Sequence, residues 1–374
     1  MTGAKADLYT STDYSNSFDC GNRNLKIMGL KFGIIGSGSW ATALVKILTD
    51  NNQHVNWWIR NNDIVQHIYK RKHNPHYLSS AYFDISLLNL SGDINATIEQ
   101  SDVILIAVPS AYIKEVLDAV QPELLKNKKI LSAVKGIVPD VDVLLNEYLL
   151  FEFGIPLEDY FALLGPCHAE EVAGEKLSYL TFSGVDAGLT HQIAACFKTE
   201  YINTITNRDI IGVQYAAVLK NIYALGAGIA HGLEYGDNFL SVYIANSADE
   251  MAGFLRTVGI QHIVVGEHLQ MDPYTLRKDI NYAASVYLGD LLVTCYSPYS
   301  RNRTFGAMIG KGYTVQSAQL EMNMVAEGYY ASRCIYNINK KIGADMPIAE
   351  VVYKILWERS RPAEGFYKIE EVMI

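Results

Sequence analysis

One lysine of the chain lies in an almost entirely apolar helical pattern. Lys220 stands within Ala216 to Leu225, where aliphatic residues fall on nearly every face of a helix. Burying an ammonium group there costs free energy unless a carboxylate pairs with it. Asp290, in the run Leu288-Gly-Asp-Leu, has a similarly apolar setting and is the candidate partner. A buried lysine of this kind suits proton transfer, and a structural ion pair is the alternative.

A second group of polar residues accompanies this pair. Lys135 follows the apolar run Ile130 to Val134 and would stand at the end of a strand, although a lone loop lysine is usually solvated surface. Ser300-Arg-Asn-Arg303 combines a hydroxyl, a guanidinium fork and an amide, which suits a phosphate group, with an exposed polar loop as the alternative. The substrate-binding candidates in these runs are Lys135, Lys220, Asn221, Asp290, Thr294, Ser300, Arg301 and Asn302.

A glycine-rich turn near the start gives a third signal. Gly36-Ser-Gly-Ser-Trp-Ala41 directly follows the apolar run Phe32 to Ile35 and precedes a helical pattern. In this G-x-G-x-x-A form, Gly36 allows a tight turn, Gly38 lets a pyrophosphate approach the backbone and Ala41 lets the helix pack on the strand. The phosphates of a dinucleotide would then bind at the positive end of the helix. Alone, the motif also fits a simple turn.

The residues at two further strand ends are also candidates for contact with a dinucleotide, because doubly wound sheets bind ligands beyond the carboxyl ends of their strands. Arg60 follows the second strand, where an NAD-specific enzyme usually has an acid, and it favours a 2′-phosphate and hence NADP(H). The alternative is that Arg60 is only an exposed loop residue and that the nearby Asp63 binds the ribose. Pro109, after the run Val103 to Val108, either lines the cofactor crevice or only terminates the strand.

The elements that must position these residues divide the chain in two. Up to about Asn207, apolar strand-like runs alternate with helical patterns, which predicts a parallel sheet covered by helices. Long helical patterns follow, beginning at Ile210. The polar residues 1–27 predict a disordered leader. The predicted strands are Phe32 to Ile35, His54 to Ile59, Val103 to Val108, Ile130 to Val134, Phe161 to Leu164 and Leu180 to Ser183.

Composition narrows the classes of function. The 374 residues are 49% hydrophobic and 19% charged, as in globular proteins, and suit two domains. A net charge of -9 without a basic block argues against a nucleic-acid surface. The longest apolar run, Tyr215 to Leu233, is interrupted by Lys220, Asn221 and His231, so we expect no membrane span. Five irregularly spaced cysteines predict neither a metal site nor disulfides, and therefore a reducing, cytoplasmic location.

These motifs together carry a family resemblance. From Met28 onward the chain resembles the NAD(P)-dependent glycerol-3-phosphate dehydrogenases of the bacterial type. The matching pieces are Gly36-Ser-Gly-Ser-Trp-Ala, Ala107-Val-Pro-Ser, Val134-Lys-Gly, Gly165-Pro-Cys-His-Ala-Glu-Glu-Val, Val218-Leu-Lys-Asn, Gly226-Ala-Gly, Leu288-Gly-Asp-Leu, Ser300-Arg-Asn-Arg and Val325-Ala-Glu-Gly. The resemblance implies an α/β fold, with a Rossmann-like, doubly wound N-terminal domain at 28–207 and an all-helical, substrate-binding C-terminal domain at 208–374.

The resemblance also implies the activity, namely reversible reduction of dihydroxyacetone phosphate to sn-glycerol 3-phosphate, which supplies glycerophospholipid synthesis. The cofactor would be NADPH or NADH, with NADPH favoured by Arg60, and we expect a homodimer. Hydride would pass directly between the nicotinamide C4 and the substrate C2. A dehydrogenase for another small oxo or hydroxy acid and a non-catalytic NAD(P)-binding sensor are the alternatives.

Residue roles follow from the same resemblance. Lys220 would act as general acid and base, Asp290 would hold and tune its ammonium group, and Lys135 would stabilise the same substrate oxygen. Cys167 stands where the family often has serine or threonine, and the stretch between Gly253 and Asp290 is longer than expected. The family's substrate contacts match Lys135, Gly165, Cys167, Asp290, Ser300, Arg301 and Asn302, and its dinucleotide contacts match Ser39, Trp40, Arg60, Lys135, Ala169, Arg301, Val325 and Glu327.

Overall fold

The structure is a computed structural model, and it describes residues 29–260, 285–322 and 326–373. The predicted leader at 1–27, the residues 261–284 of the longer stretch and Val325 lie outside the described residues.

One sheet of eight strands forms from the described part of the chain. The strands are β1 Phe32–Ile35, β2 Val55–Trp58, β3 Leu88–Ser91, β4 Val103–Ile106, β5 Lys129–Ser132, β6 Tyr160–Leu164, β7 Ser178–Gly184 and β8 Ile202–Asn207. Their order is β3-β2-β1-β4-β5-β6-β7-β8, and neighbours run parallel except β6 and β7. β1 and β4 lie side by side although β2 and β3 come between them in the chain, so the strand order reverses there. Ligands bind at such a reversal in doubly wound sheets.

Helices cover both faces of this sheet. They are α1 Ser39–Asp50, α2 Asn62–Arg71, α3 Ile94–Glu99, α4 Ile113–Leu117, α5 Leu145–Phe153, α6 Ala169–Ala173 and α7 Ala187–Ala195. Short 3-10 turns occur at Ile85–Leu87, Ser110–Tyr112, Pro122–Leu125 and Leu157–Asp159. Polar side chains cap several of these helices, as Asn61 does for α2 and Asp186 for α7. The predicted α/β class and doubly wound sheet are confirmed.

The part of the chain after β8 contains helices joined by turns and loops, and no strand occurs among its described residues. Its elements are α8 Ile210–Gly232, α9 Asp237–Thr257, a π-helical turn Ser285–Gly289, α10 Asp290–Tyr296, α11 Arg301–Gly310, α12 Val315–Glu321, α13 Glu327–Ile342, α14 Pro347–Trp357 and α15 Pro362–Val372. The predicted helical second part is therefore confirmed. The domain limits at 207 and 208 stay a prediction, because one hydrophobic core joins Ile106 and Leu164 of the sheet to Val218 of α8.

The six predicted strands are present, β1 with the predicted bounds and the other five with one or both ends shifted, whereas β3 and β8 are not predicted. These two are the edge strands of the sheet. In β3, Asn89 is exposed between buried leucines, and in β8 only Ile202 is buried. Neither strand has the continuous apolar run that strands buried on both faces show.

α8 is the central helix of the helical part. It is long and apolar enough to span a membrane, and it is the only such helix among the residues that the structure describes. The apolar window of α8 is 89% buried inside the fold, which is the situation of a core helix. Its apolar faces thus pack against protein on all sides.

Glycines bring α8 and α11 into backbone contact. A Cβ on Gly306 of α11 would stand 1.9 Å from the carbonyl oxygen of Leu225, and a Cβ on Gly228 of α8 would stand 2.1 Å from that of Arg303. Carbon and oxygen atoms cannot approach so closely, so neither position accepts a side chain without moving a helix. This contact sets the distance between the helix of Lys220 and the helix of Arg301.

Candidate active site

A cleft of about 310 Å³ lies beyond the carboxyl ends of the strands, between the sheet and the helical part. It begins at the turn after β1 and reaches the N-terminus of α11. The residues that line it are Gly38, Ser39, Trp40, Tyr77, Ala107, Val108, Pro109, Tyr112, Ala133, Lys135, Cys167, His168, Ala169, Glu170, Lys220, Asn221, Asp290, Thr294, Tyr299, Ser300, Arg301, Asn302 and Glu327.

A buried ion pair between Lys220 and Asp290 lies in the wall of this cleft. Lys220 Nζ contacts Asp290 Oδ1, and the side chains are only 3% and 2% exposed. Lys220 Nζ also lies 3.2 Å from Thr294 Oγ1, whose hydroxyl donates to the backbone oxygen of Asp290 one turn earlier in α10. The structure therefore forms the pairing expected from the apolar surroundings of both residues, while the part they play in chemistry stays a prediction.

The position of Lys220 changes its acidity. Burial lowers the pKa of Lys220 to about 8, an effect that the positive charge of Lys135 reinforces and the Asp290 carboxylate opposes. A lysine with an ordinary pKa near 10.5 releases its proton rarely at neutral pH. With the lowered pKa, Lys220 can both give and take a proton near neutral pH.

Lys135 lies on the other side of the same carboxylate. Its Nζ is 4.0 Å from Asp290 Oδ2 and 3.4 Å from the backbone oxygen of Gly165. It also lies over the ring of Trp40, 5.4 Å from the ring centroid. Two ammonium groups around one carboxylate leave a net positive charge beside the cleft. Such a charge favours an anionic ligand and stabilises an oxygen that becomes negative during a reaction.

Two amide side chains connect the elements around this pair. Asn221 Nδ2 donates to the backbone oxygen of Lys135 at 3.0 Å, and Asn302 Nδ2 donates to Asn221 Oδ1 at 3.0 Å. Asn302 Oδ1 in turn accepts from the backbone N–H of Gly328 at 2.9 Å. The two residues predicted to bind substrate therefore also hold the Lys135 loop, α8, α11 and α13 together.

The N-terminus of α11 contributes a second positive region. Arg301 is its first residue and lines the cleft. Ser300, 3% exposed, caps the helix by accepting from the backbone N–H of Arg303 at 3.3 Å. A guanidinium group at the positive end of a helix suits a phosphate.

The glycine turn after β1 has the geometry that a dinucleotide requires. Gly36 has φ +123°, and a Cβ there would stand 2.6 Å from the backbone oxygen of Ala107. Gly38 faces open space, since a Cβ there would meet nothing within 4 Å among the described residues. No side chain in the described part of the chain caps α1, and its first turn carries no acid. Ala41, fully buried, packs behind the turn. The residues present therefore fit a pyrophosphate.

Several predicted contacts have other partners in the structure. Arg60 forms an exposed ion pair with Glu115 at 2.8 Å and is not among the cleft residues. The carboxylate of Glu327 accepts from the backbone N–H of Ser110 at 3.0 Å and from the Ser110 hydroxyl, which joins α13 to the 3-10 turn after β4. Burial raises the pKa of Glu327. Pro109, beside this contact, lines the cleft.

The segment after β6 forms another wall. Gly165 has φ +132°, and its carbonyl faces Lys135. The Cys167 thiol contacts the backbone oxygen of Tyr179 at 3.1 Å, and burial raises the pKa of this thiol to about 12, so the group stays neutral. Ser39, Trp40 and Ala169, which are predicted dinucleotide contacts, line the cleft, whereas Gly36 and Ala41 are not among its lining residues.

Four aromatic or imidazole side chains of the cleft were not predicted. Burial, together with Lys135 and Lys220, lowers the pKa of His168 to about 4, so its ring is neutral. His168 lies within the quoted segment Gly165 to Val172, but no local pattern assigns it a role. The other three are Tyr77, Tyr112 and Tyr299. Within the described residues, no group of three or more His, Cys, Asp and Glu side chains is arranged to hold a metal ion.

Comparison with known proteins identifies the family. The profile described as "NAD-dependent glycerol-3-phosphate dehydrogenase N-terminus" matches residues 31–189, and the corresponding C-terminus profile matches residues 209–366. Glycerol-3-phosphate dehydrogenase [NAD(P)+] of Bacillus subtilis is 33% identical, over 87% of this chain and 90% of that protein. The enzyme of the same name from Lacticaseibacillus paracasei is 31% identical, over 89% of this chain and 92% of that protein.

A solved structure agrees with these sequences. The crystal structure of glycerol-3-phosphate dehydrogenase from Coxiella burnetii has a TM-score of 0.79 and 27% identity, and the match covers 91% of this chain and 99% of that one. Both halves of the chain are thus matched in order, by sequence and by fold, and the resemblance predicted from the motifs is confirmed. The chain belongs to the NAD-dependent glycerol-3-phosphate dehydrogenase family.

Proposed function

We propose that this protein is an oxidoreductase that reduces dihydroxyacetone phosphate to sn-glycerol 3-phosphate, reversibly, with NADPH or NADH. One observation carries the proposal: a nearly fully buried lysine, ion-paired with a carboxylate and with a pKa lowered to about 8, stands in a cleft between the glycine turn and Arg301. The names of the relatives point to the same reaction.

The chain provides a place for the dinucleotide along the N-terminus of α1. The backbone N–H groups that follow Gly38 would bind the pyrophosphate, and the walls at Trp40 and Pro109 would flank the remainder. A bound NADPH or NADH supplies the hydride that reduces the substrate carbonyl carbon.

Lys220 carries the proton step. In reduction its ammonium group gives a proton to the C2 oxygen of the substrate, and in oxidation its neutral amine takes the proton from the C2 hydroxyl. The Asp290 carboxylate keeps the ammonium form accessible in a buried position, and Thr294 orients the group. Lys135 stabilises negative charge on the same oxygen.

The substrate phosphate binds at the start of α11. Arg301 provides the guanidinium fork, and the helix N-terminus adds its dipole to the attraction. Because this phosphate does not react, its binding serves to hold C2 in place for reaction. Asn302, the next residue of α11, holds this helix against α8 through its hydrogen bond to Asn221.

Three narrower proposals accompany this function. NADPH is the preferred cofactor if Arg60 leaves Glu115 and binds the 2′-phosphate. The four cysteines among the described residues are free thiols, which agrees with a reducing, cytoplasmic location. The product would supply glycerophospholipid synthesis, and the homodimer stays a prediction from the family resemblance.

The test is oxidation of NADPH and of NADH in the presence of dihydroxyacetone phosphate, followed by absorbance. We expect turnover with the phosphorylated substrate and little with dihydroxyacetone, which lacks the phosphate. Lys220→Ala should lower turnover about 10²- to 10⁴-fold while cofactor binding is kept. Lys46 offers a matched control, because it is also a buried lysine paired with carboxylates, Asp50 and Glu175, but lies outside the cleft. Near-normal turnover of Lys220→Ala would exclude this role.

A further inference from the structure

Asn74 is a completely buried amide in the connection between α2 and β3, and every polar atom of its side chain is used. Its Nδ2 donates to the backbone oxygen of Ser37 at 3.1 Å and to Thr42 Oγ1 at 2.9 Å. Its Oδ1 accepts from the backbone N–H groups of His76 at 3.0 Å and Tyr77 at 3.3 Å. One side chain thus contacts the glycine turn, the first turn of α1 and the segment that carries Tyr77.

The contact with Ser37 completes a set of bonds to the glycine turn. Each of the three carbonyl oxygens of the turn accepts a hydrogen bond from a buried side chain: Gly36 from Trp57 at 2.6 Å, Ser37 from Asn74 at 3.1 Å and Gly38 from Thr42 at 2.9 Å. The negative ends of these peptide dipoles are therefore held against the protein. The N–H groups at the start of α1 are left for an anion, because no described side chain caps them.

The other half of the Asn74 amide holds a wall of the cleft. Tyr77 lines the cleft, and the next residue, Leu78, has φ +51°, a conformation that costs a leucine free energy. Such a conformation persists only where the surroundings fix it. Asn74 Oδ1 provides part of that fixation through the N–H of Tyr77. A carboxylate lacks the donors and an aliphatic side chain lacks both donors and acceptor, so an amide is required here.

We propose that Asn74 is a positioning residue for the cofactor: it holds the phosphate-binding turn and the Tyr77 wall in one arrangement and so sets the affinity for the dinucleotide without touching it. This inference rests on the proposed function, since it requires that NADPH or NADH binds at the glycine turn. Replacing Asn74 should change the affinity for the cofactor and leave the proton transfer unaffected. The reason is that Asn74 forms no hydrogen bond with Lys220, Asp290 or Arg301 among those of the described residues.

The experiment measures the Kd of NADPH and NADH by fluorescence, and kcat and KM with dihydroxyacetone phosphate, for the full chain and its variants. Asn74→Ala loses two donated bonds that shape the turn, so we expect Kd to rise roughly 30-fold. At saturating cofactor, kcat and the KM of the substrate should stay within about twofold of the parent. Asn56→Ala is the matched control: Asn56 donates two similar bonds, to Gln100 and Ser101, from β2, outside the cleft, and its loss should leave Kd unchanged.

A second variant keeps the test valid if Asn74→Ala does not fold. Thr42→Val keeps the shape but removes the hydroxyl that joins Asn74 to Gly38, and we expect Kd to rise about fivefold. A Kd within about twofold of the parent in Thr42→Val, or in a folded Asn74→Ala, would overturn the inference. An equal loss of kcat and cofactor affinity would also overturn it, since that would indicate general structural damage. A parent protein that binds neither cofactor would instead overturn the proposed function, and needs no variant to be seen.

Discussion

Replacing Asp290 by asparagine is expected to move the pH dependence of substrate reduction to lower pH. In the parent, the Asp290 carboxylate raises the pKa of Lys220 against the effect of burial, and the net result is a pKa of about 8. Reduction needs the ammonium form, so kcat/KM should be constant below that pH and fall as pH rises through it. The amide has the shape of the carboxylate but no charge, so the pKa of Lys220 falls further in the variant.

The expected size follows from the geometry of the pair. Lys220 and Asp290 are in direct contact, and both side chains are nearly fully buried. An opposite charge at this range changes a pKa by about 1 to 3. The falling limb of the pH profile, where kcat/KM decreases with rising pH, should therefore move down by about 1 to 3 pH units in the variant. Above pH 8 the variant should therefore be slower than the parent by about 10- to 1000-fold, and the two rates should approach each other in acid.

The assay is kcat/KM for dihydroxyacetone phosphate at saturating cofactor between pH 5 and 10, because this parameter reports groups of the free enzyme. Thr294→Val is the matched control. It removes the neutral hydroxyl 3.2 Å from Lys220 Nζ but no charge, so its falling limb should stay near that of the parent.

One result would refute the reasoning. If Asp290→Asn were slower by the same factor at every pH, with an unmoved limb, the carboxylate would act on the substrate and not on the acidity of Lys220. A limb that moved to higher pH would contradict the sign of the charge effect.

Three other variants test separate parts of the structure. Arg301→Ala should raise the KM of dihydroxyacetone phosphate about 10- to 100-fold through loss of a charge-assisted contact, and should not affect an unphosphorylated analogue; an unchanged KM would remove Arg301 from the phosphate site. Arg60→Ala should raise the KM of NADPH but not of NADH, and an unchanged NADPH to NADH ratio would show that the ion pair with Glu115 is only structural. Glu250 is buried and accepts from the N–H groups that begin α14 and from Tyr223, and burial raises its pKa to about 7 from an ordinary value of 4.5. Because the folded pKa is the higher one, its contribution to stability is complete below pH 4.5 and is lost as pH rises through 7. Over that interval the free energy of unfolding of the parent should fall by about 3 kcal/mol relative to that of Glu250→Gln. Urea unfolding of both proteins at pH 5 and 8 measures this, and an equal stability difference between them at the two pH values would contradict the assignment.

The fold was predictable where burial is complete. β1 and β4 lie inside the sheet and read as uninterrupted apolar runs, whereas the edge strands β3 and β8 mix polar and apolar residues. α8 was recognised for the same reason, and Lys220 was conspicuous because its neighbours are apolar on all sides. Local composition therefore revealed both the core and the charge buried in it.

Contacts between distant segments were not predictable from local composition. Asn74 contacts Ser37, 37 residues earlier in the chain, and Glu327 contacts Ser110 across a separation of 217 residues. An asparagine before Pro75 predicts only a turn. The ion pair of Arg60 with Glu115 is of the same kind, since it joins the loop after β2 to α4, two segments that are distant in the chain. Such residues are found by following hydrogen bonds in three dimensions.

The backbone contact between α8 and α11 fixes the distance between these helices and so limits the length of the substrate that fits between Lys220 and Arg301. Lys220 lies on one helix and Arg301 begins the other, and Gly228 and Gly306 hold these helices as near as peptide groups allow. In the roles proposed for these two residues, the span between proton donor and phosphate site is therefore set by main-chain contact, which side-chain substitutions in the cleft leave in place. An enzyme for a substrate with one more carbon between carbonyl and phosphate would have to be obtained by moving one of the two cationic groups along its helix, not by enlarging the cleft.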